Sequence, residues 1–185
     1  MPEAVEPAIT GLYPRLLGAS WSSLPEVVRR MHAGGSRRAT GLFDVRHGRG
    51  LRGALARMLG LPPAGQDIPT VLTVTADSAG ERWERRFGAR DFATDQWAGA
   101  DGRLRERFGL FELRLDLRAE DGTLRYEPAG AGVRLFGQVV AIPRWLAPRV
   151  AGRVSAHGEQ ARVQIEVAAP LVGFVIGYSG SVTPS

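Results

Sequence analysis

The sequence predicts an α+β fold: two or three short N-terminal helices packed on a large, curved, mainly antiparallel β-sheet that is barrel-like. Three observations predict it. Leu110–Arg118 reads LFELRLDLR, with Phe111, Leu113, Leu115 and Leu117 on one face of an extended strand and Glu112, Arg114, Asp116 and Arg118 on the other. That period of two marks a half-buried antiparallel strand, so the apolar set is expected inside and the charged set outside. Asp121-Gly122 behind it is a hairpin turn pair. From Thr70 onward short strand-like runs recur between glycine-bearing turns, while helical signals are confined to the first third.

Leu12–Leu17 makes a short apolar helical turn. Ser22 or Ser23 can cap a second helix, with Leu24 and Pro25 in its first turn, Glu26 near its positive end, and an apolar stripe of Val27, Val28 and Met31. Gly34-Gly35 stops it. Ala39–His47 reads as a strand. Leu51–Leu59 reads as a helix with Leu51, Leu55, Met58 and Leu59 on its apolar side, ended by Gly60 and by Leu61-Pro62-Pro63. Thr70–Ala76, Arg82–Phe87, Arg103–Phe108, the long amphipathic strand, Leu124–Tyr126, Val133–Phe136, Arg149–Ala156, Arg162–Val167 and Leu171–Tyr178 give roughly eight or nine strands. ERRFG at 84–88 echoes RERFG at 105–109. A chain of 185 residues with no linker is expected to form a single domain, 1–185.

Composition removes several chemistries. There is no Cys, hence no disulfide, thiolate nucleophile or zinc–cysteine site. There is no Lys, hence no Schiff-base or P-loop chemistry. All 24 basic residues are Arg, and Asn is also absent; the AT-rich codons of Lys and Asn make a GC-rich bacterial genome the natural source. The net charge of +5 is spread in pairs such as Arg29-Arg30 and Arg85-Arg86 rather than in a stripe, so nucleic acid is not expected as a partner. Met1–Pro7 is acidic and proline-bearing, unlike a secretory leader, and Leu171–Tyr178 is too short to span a bilayer. A cytoplasmic protein without a membrane span is expected.

Gly48-Arg49-Gly50-Leu51-Arg52-Gly53 matches G-x-G-x-x-G between a strand and a helix. The short helix, the proline-laden return Leu61–Pro69 and the lack of any later βαβ pattern favour a tight turn, and no cofactor is expected. A looser anion site would use Gly48, Gly50 and Arg52, helped by Arg49. His32, His47 and His157 lack metal-ligand spacing, so no metal is expected. His32 ends a helix, where an imidazolium complements the dipole. His47, beside Asp44 and Arg46, could act as a strand-end base. Gly177–Ser181 is not a nucleophile elbow. Ile142–Pro148 is a proline-bracketed aromatic loop that can cover a cavity mouth or a sheet edge.

The densest aromatic–arginine cluster is Trp83-Glu84-Arg85-Arg86-Phe87. On a strand, Trp83, Arg85 and Phe87 share a face. An inward Arg85 needs a carboxylate, for which Glu106 is best placed. Such a pair either fixes strand register or anchors the polar end of a ligand in an apolar cavity lined by Trp83, Phe87 and Phe111.

Leu12–Gly18, Leu24-Pro25 with Val28–His32, the Gly41–Gly50 strand and turn, Trp83-x-Arg85-x-Phe87, Glu106-Arg107-x-Gly109, Pro143-x-x-Leu146-x-Pro148 and Gly177-Tyr178-x-Gly180 run in the order seen in the bacterial domain-of-unknown-function family 4166, which the chain resembles over nearly its whole length. The resemblance implies a bacterial domain sometimes attached to Rossmann-type oxidoreductases, and transfers no catalytic residue. Two function classes follow. One is an apolar small-molecule binder (lipid-, isoprenoid- or polyketide-like), with cyclase or isomerase activity by positioning as its catalytic form. The other is an accessory domain partnering a redox enzyme through its surface. A cavity beside Trp83 separates them, because only the first needs one.

Overall fold

The computed structural model describes residues 11–185; Met1–Pro7 lies outside them. The chain forms helix α1 (Leu12–Leu17), a 3₁₀ turn (Gly18–Ser23), helix α2 (Glu26–His32), strand β1 (Arg37–His47) and helix α3 (Leu51–Met58). Ten strands follow: β2 (Gly65–Ala76), β3 (Glu81–Phe87), β4 (Arg90–Ala98), β5 (Leu104–Phe108), β6 (Phe111–Glu120), β7 (Thr123–Leu135), β8 (Gln138–Ala141), β9 (Arg149–His157), β10 (Gln160–Ala169) and β11 (Gly173–Pro184). Ten of the eleven strands close into an antiparallel up-and-down barrel, in which β1 pairs with β11 and β6 with β7; β8 is appended to β7. The expected α+β class with a barrel-like antiparallel sheet is what forms.

Strand alternation places the core inside the ring. On β3, Glu81, Trp83 and Phe87 are buried, while Arg82, Glu84 and Arg86 are exposed. On β6, Leu113 and Leu115 are buried, Phe111 and Leu117 half-buried, and Arg118 exposed. Of the charged set expected outside, Arg114 and Asp116 are half-buried, and Glu112 departs furthest. It is on the outward face, yet it is 8% exposed, because Arg105 (3.6 Å) and Arg134 (3.8 Å) roof its carboxylate with their guanidinium groups and stems. A β-bulge follows at Arg114/Leu115 opposite Gly130, whose φ of +152° suits glycine.

Several element readings need correction. The Ser22 and Ser23 hydroxyls bond back to Ala19 and Ser20 carbonyls within the 3₁₀ turn, so α2 starts without a side-chain cap. β4 and β8 carry no clear strand signal in the sequence: β4 mixes apolar and charged residues without clean alternation, and β8 is only four residues long and wholly exposed. Leu124–Tyr126 and Val133–Phe136 are parts of one strand, β7, except Phe136, which lies in the turn beyond. Leu171 is not in a strand but in a turn at φ +66°, 89% exposed.

The face of α3 departs in part from the one expected, although Leu55, Met58 and Leu59 line the barrel interior. Gly53 and Ala56 are buried, Leu55 and Leu59 half-buried, and Leu51 and Met58 are 88% and 77% exposed. The cause is close approach: a Cβ on Gly48 would stand 2.3 Å from the Phe174 carbonyl oxygen, and one on Gly53 would stand 2.8 Å from that of Gly48. Only small residues let the helix sit this near β11. β1 and β2 are antiparallel neighbours, so the G-x-G-x-x-G turn is not part of a parallel βαβ unit.

The up-and-down order gives the barrel two different ends. α1 and α2 lie across the end that carries the β2–β3, β4–β5, β6–β7 and β9–β10 turns, with α1 against β4 and β6 and α2 against β9, β10 and β11. α3, the β3–β4, β5–β6 and β10–β11 turns, the β7–β8 hairpin and the 142–148 loop lie at the other end. Among the described residues no helix is long and apolar enough to cross a membrane.

Leu115 is 1% exposed inside the ring. Leu115→Ala is expected to lower unfolding free energy by about 2–5 kcal/mol in urea titration, whereas Arg118→Ala, on the outer face of the same strand, should cost under about 1 kcal/mol.

Candidate functional site

The barrel encloses a cavity of about 440 Å³ lined mainly by aliphatic and aromatic side chains from β1–β7 and β9–β11, with Tyr13, Met31 and His32 at the end closed by the helices. At the other end Met58 and Leu146 both line the cavity and stand exposed, so it reaches the surface between α3 and the 142–148 loop. That loop covers a sheet edge at the cavity mouth: the Ile142 amide donates to the Ala131 carbonyl, Ala147 is buried, and Trp145 points outward at 67% exposure.

Midway along the cavity wall, β3, β4 and β5 bring Arg85, Thr94 and Glu106 together. Arg85 Nη1 donates to Thr94 Oγ1 at 3.0 Å, and Nη2 lies 3.9 Å from Glu106 Oε1. The second distance is an ion pair and too long for a hydrogen bond. The guanidinium lies over the Trp83 and Phe92 rings, 5.5 and 5.7 Å from their centroids. Phe87 and Phe111 line the same space. The echo between residues 84–88 and 105–109 puts Arg85 and Glu106 at equivalent inward positions of two strands, each ending in a glycine turn, Gly88 at φ +58° and Gly109 at φ +54°.

Deeper in, the floor holds a second polar group that no sequence spacing announces, because its members come from α1, α2, β4 and β7. The Tyr13 hydroxyl donates to Gln96 Oε1 (2.7 Å), the Tyr13 and Tyr126 oxygens are 3.2 Å apart, and Tyr126 meets His32 Nε2 at 3.0 Å. His32 Nδ1 donates to the Val28 carbonyl (2.8 Å), so in the neutral ring Nε2 accepts from Tyr126. His32 is 2% exposed, and burial lowers its pKa to about 4, with Arg37 and Arg85 adding to the effect. The imidazolium expected at this helix end is therefore a neutral imidazole. Burial likewise raises the Tyr13, Tyr126 and Tyr178 hydroxyls above their ordinary range.

Glu81 fastens this plug to the wall. It is 3% exposed, accepts from Trp83 Nε1 (3.0 Å) and from the Leu12 amide, and pairs with Arg37 (3.5 Å). Burial raises its carboxyl pKa, while Arg37 and Trp83 oppose the rise. Arg37 also donates to the Gly34 carbonyl, closing the α2–β1 corner.

A family model matches residues 24–182. The chain belongs to that family, described as Domain of unknown function (DUF4166). The match takes in every strand except the last two residues of β11 and the whole Trp83–Arg85–Glu106 cluster, while α1 with Tyr13 lies outside it. No curated protein and no solved structure matches the chain.

The other singled-out residues do not join the cavity cluster. Gly48, Gly50 and Arg52 form the turn into α3, where Gly48 packs on β11 and the Arg52 guanidinium lies against Gly173. His47 Nε2 donates to the Pro62 carbonyl at 2.7 Å, which ties the ring to the chain after α3. His157 is exposed at the end of β9. Among the described residues no cluster of three or more His, Asp or Glu could hold a metal ion.

The lowered His32 pKa has a definite sign. Between pH 6.5 and 4 the unfolded chain holds a proton there that the folded chain lacks, so stability is complete above pH 6.5 and falls as pH drops toward 4. The loss is expected to reach about 3 kcal/mol. The stability difference between the wild type and His32→Leu, measured by chemical denaturation across that range, should shrink by this amount.

Proposed function

We propose that the barrel binds an apolar small molecule carrying an anionic or strongly polar oxygen end, of lipid-, isoprenoid- or polyketide-like character, with Arg85 receiving that end. The observation that carries the reading is a guanidinium with spare donors facing an apolar cavity. Arg85 spends one hydrogen bond on Thr94 and keeps Glu106 at 3.9 Å. A guanidinium has five N–H groups, and leaving them unanswered in apolar surroundings is costly. A carboxylate, enolate or carbonyl oxygen would answer them. The cavity volume of about 440 Å³ falls in the range of ligand pockets, about 300–1,000 Å³.

The alternative, an accessory domain partnering a redox enzyme through its surface, needs no such space, so the cavity favours the first reading. A flexible chain held by one end among these walls would sample few conformers, and cyclisation or isomerisation by positioning is the catalytic form of the same proposal.

Native mass spectrometry of the purified protein is expected to show a bound apolar ligand. Direct binding is tested with a fluorescent polyene fatty acid and its alcohol analogue. Arg85→Met alone would strand Glu106, at a cost of about 3–5 kcal/mol, so the variant to use is Arg85→Met with Glu106→Gln. It is expected to weaken the acid's binding about tenfold to a hundredfold and to change the alcohol's little. A folded double variant that binds the acid as well as the wild type makes the pair structural and overturns the assignment.

A further inference from the structure

We infer that the open end of the barrel docks on an anionic lipid surface. Eleven large apolar side chains are exposed among the described residues, and ten of them sit at this end; Leu42, on the outer face of β1, is the exception. Leu51 and Met58 come from α3, Leu110 from the β5–β6 turn, Phe136 from the β7–β8 turn, Trp145 from the 142–148 loop and Leu171 from the β10–β11 turn. Phe136 is fully exposed. These residues are far apart in sequence, and the barrel gathers them in one rim around the cavity mouth. Met58 and Leu146 belong to rim and cavity alike.

The charge around the rim identifies the occupant. Arg49, Arg52, Arg57, Arg90, Arg144 and Arg149 are exposed at this end, and none is in an ion pair among the described residues. α3, residues 142–148 and the β3–β4, β5–β6, β7–β8 and β10–β11 turns contain no carboxylate. At the opposite end every hairpin turn contains one: Asp77, Asp101, Asp121 and Glu159. Arg15, Arg30 and Arg38 are exposed at that end too, so acid and base are mixed there, whereas at the open end the exposed carboxylates Asp67 and Asp91 lie on β2 and β4 and not in the turns. Apolar side chains ringed by unpaired cations match a bilayer surface, where the apolar groups enter the headgroup boundary and arginines meet lipid phosphates. The wall of the barrel is charged outside, as Arg82, Glu84 and Arg86 on β3 illustrate, so the contact is confined to the end and no span is implied. A protein-facing rim would need carboxylates on its partner at six scattered positions, whereas a lipid surface offers negative charge everywhere.

Vesicle co-sedimentation of the full chain, without any cavity ligand, tests the inference. It leaves the proposal for Arg85 untouched, because fatty-acid binding is read in solution without vesicles. The wild type is expected to bind phosphatidylglycerol–phosphatidylcholine vesicles, to bind phosphatidylcholine vesicles far less, and to be released by salt. Phe136→Asp with Trp145→Asp, and separately Arg49→Gln, Arg57→Gln, Arg90→Gln and Arg144→Gln together, should each weaken binding about tenfold or more. Brominated lipid in the anionic vesicles should quench wild-type tryptophan emission more than that of Trp145→Phe, a readout independent of how the aspartate variant folds. The inference is overturned by a folded wild type that stays in the supernatant, or by rim variants that bind like it. A dimer that Phe136→Asp dissociates, with no vesicle binding, would also overturn it and make the rim a contact between two copies of the chain.

Discussion

Closure of the sheet is the constraint from which the other features follow. A ring of about eight strands is just wide enough for its own side chains to fill, or to hold one small ligand. Ten antiparallel strands enclose more, and here the inward apolar residues leave about 440 Å³. Closure depends on β7, which pairs along its length with β6, through Leu124–Tyr126 with β9 and through Gly132–Leu135 with β8. Between those two short pairings β7 has no ladder partner on that side, and an open edge must be covered. The loop after β8 does this, through the Ile142 amide on Ala131 and buried Ala147. The same loop therefore completes the wall and shapes the mouth.

Charges inside the ring divide into two kinds. Glu81 is saturated by Arg37, Trp83 and the Leu12 amide, and its geometry serves to hold α1 and the α2–β1 corner across one end. The Tyr13–Tyr126–His32 group on the floor is bonded within itself and to Gln96 and Val28, and burial keeps all three side chains uncharged at neutral pH. Arg85 differs from both: it is charged, faces the cavity, stacks on aromatic faces and leaves donors unused beside a loosely held Glu106. The first two groups tie the helices to the barrel end, and Arg85 is the charged group left facing the interior.

The two ends use the same turn chemistry with opposite consequences. Glycines at positive φ reverse the chain at Gly88 and Gly109 on one end and at Gly102, Gly122 and Gly158 on the other. The residues beside them are apolar or Arg at the mouth and acidic at the plugged end. Because the barrel is an up-and-down meander, alternate turns in sequence go to alternate ends. The turns at the mouth thereby lack carboxylates, while each hairpin turn at the plugged end carries one.

Local periodicity determined much of the fold. The alternation in Phe111–Arg118, the Asp121-Gly122 turn, the early helices and the Trp83/Arg85/Phe87 face were all readable, because strand and helix periods are properties of neighbouring residues. The same reasoning made Glu106 the candidate mate of Arg85, and the two stand 3.9 Å apart. What it misjudged depended on contacts across the fold. Glu112 is roofed by arginines from β5 and β7, α3 turns its small face inward because β11 comes close, and His32 loses its charge inside a plug built from α1, α2 and the barrel floor. Leu51 and Met58 continue the apolar stripe of Leu55 yet stand exposed, since such a stripe has the same period whether it meets protein or something else. Only closure, which sets who neighbours whom across the ring, decided that these residues form a rim, that the interior stays partly empty, and that Arg85 faces it.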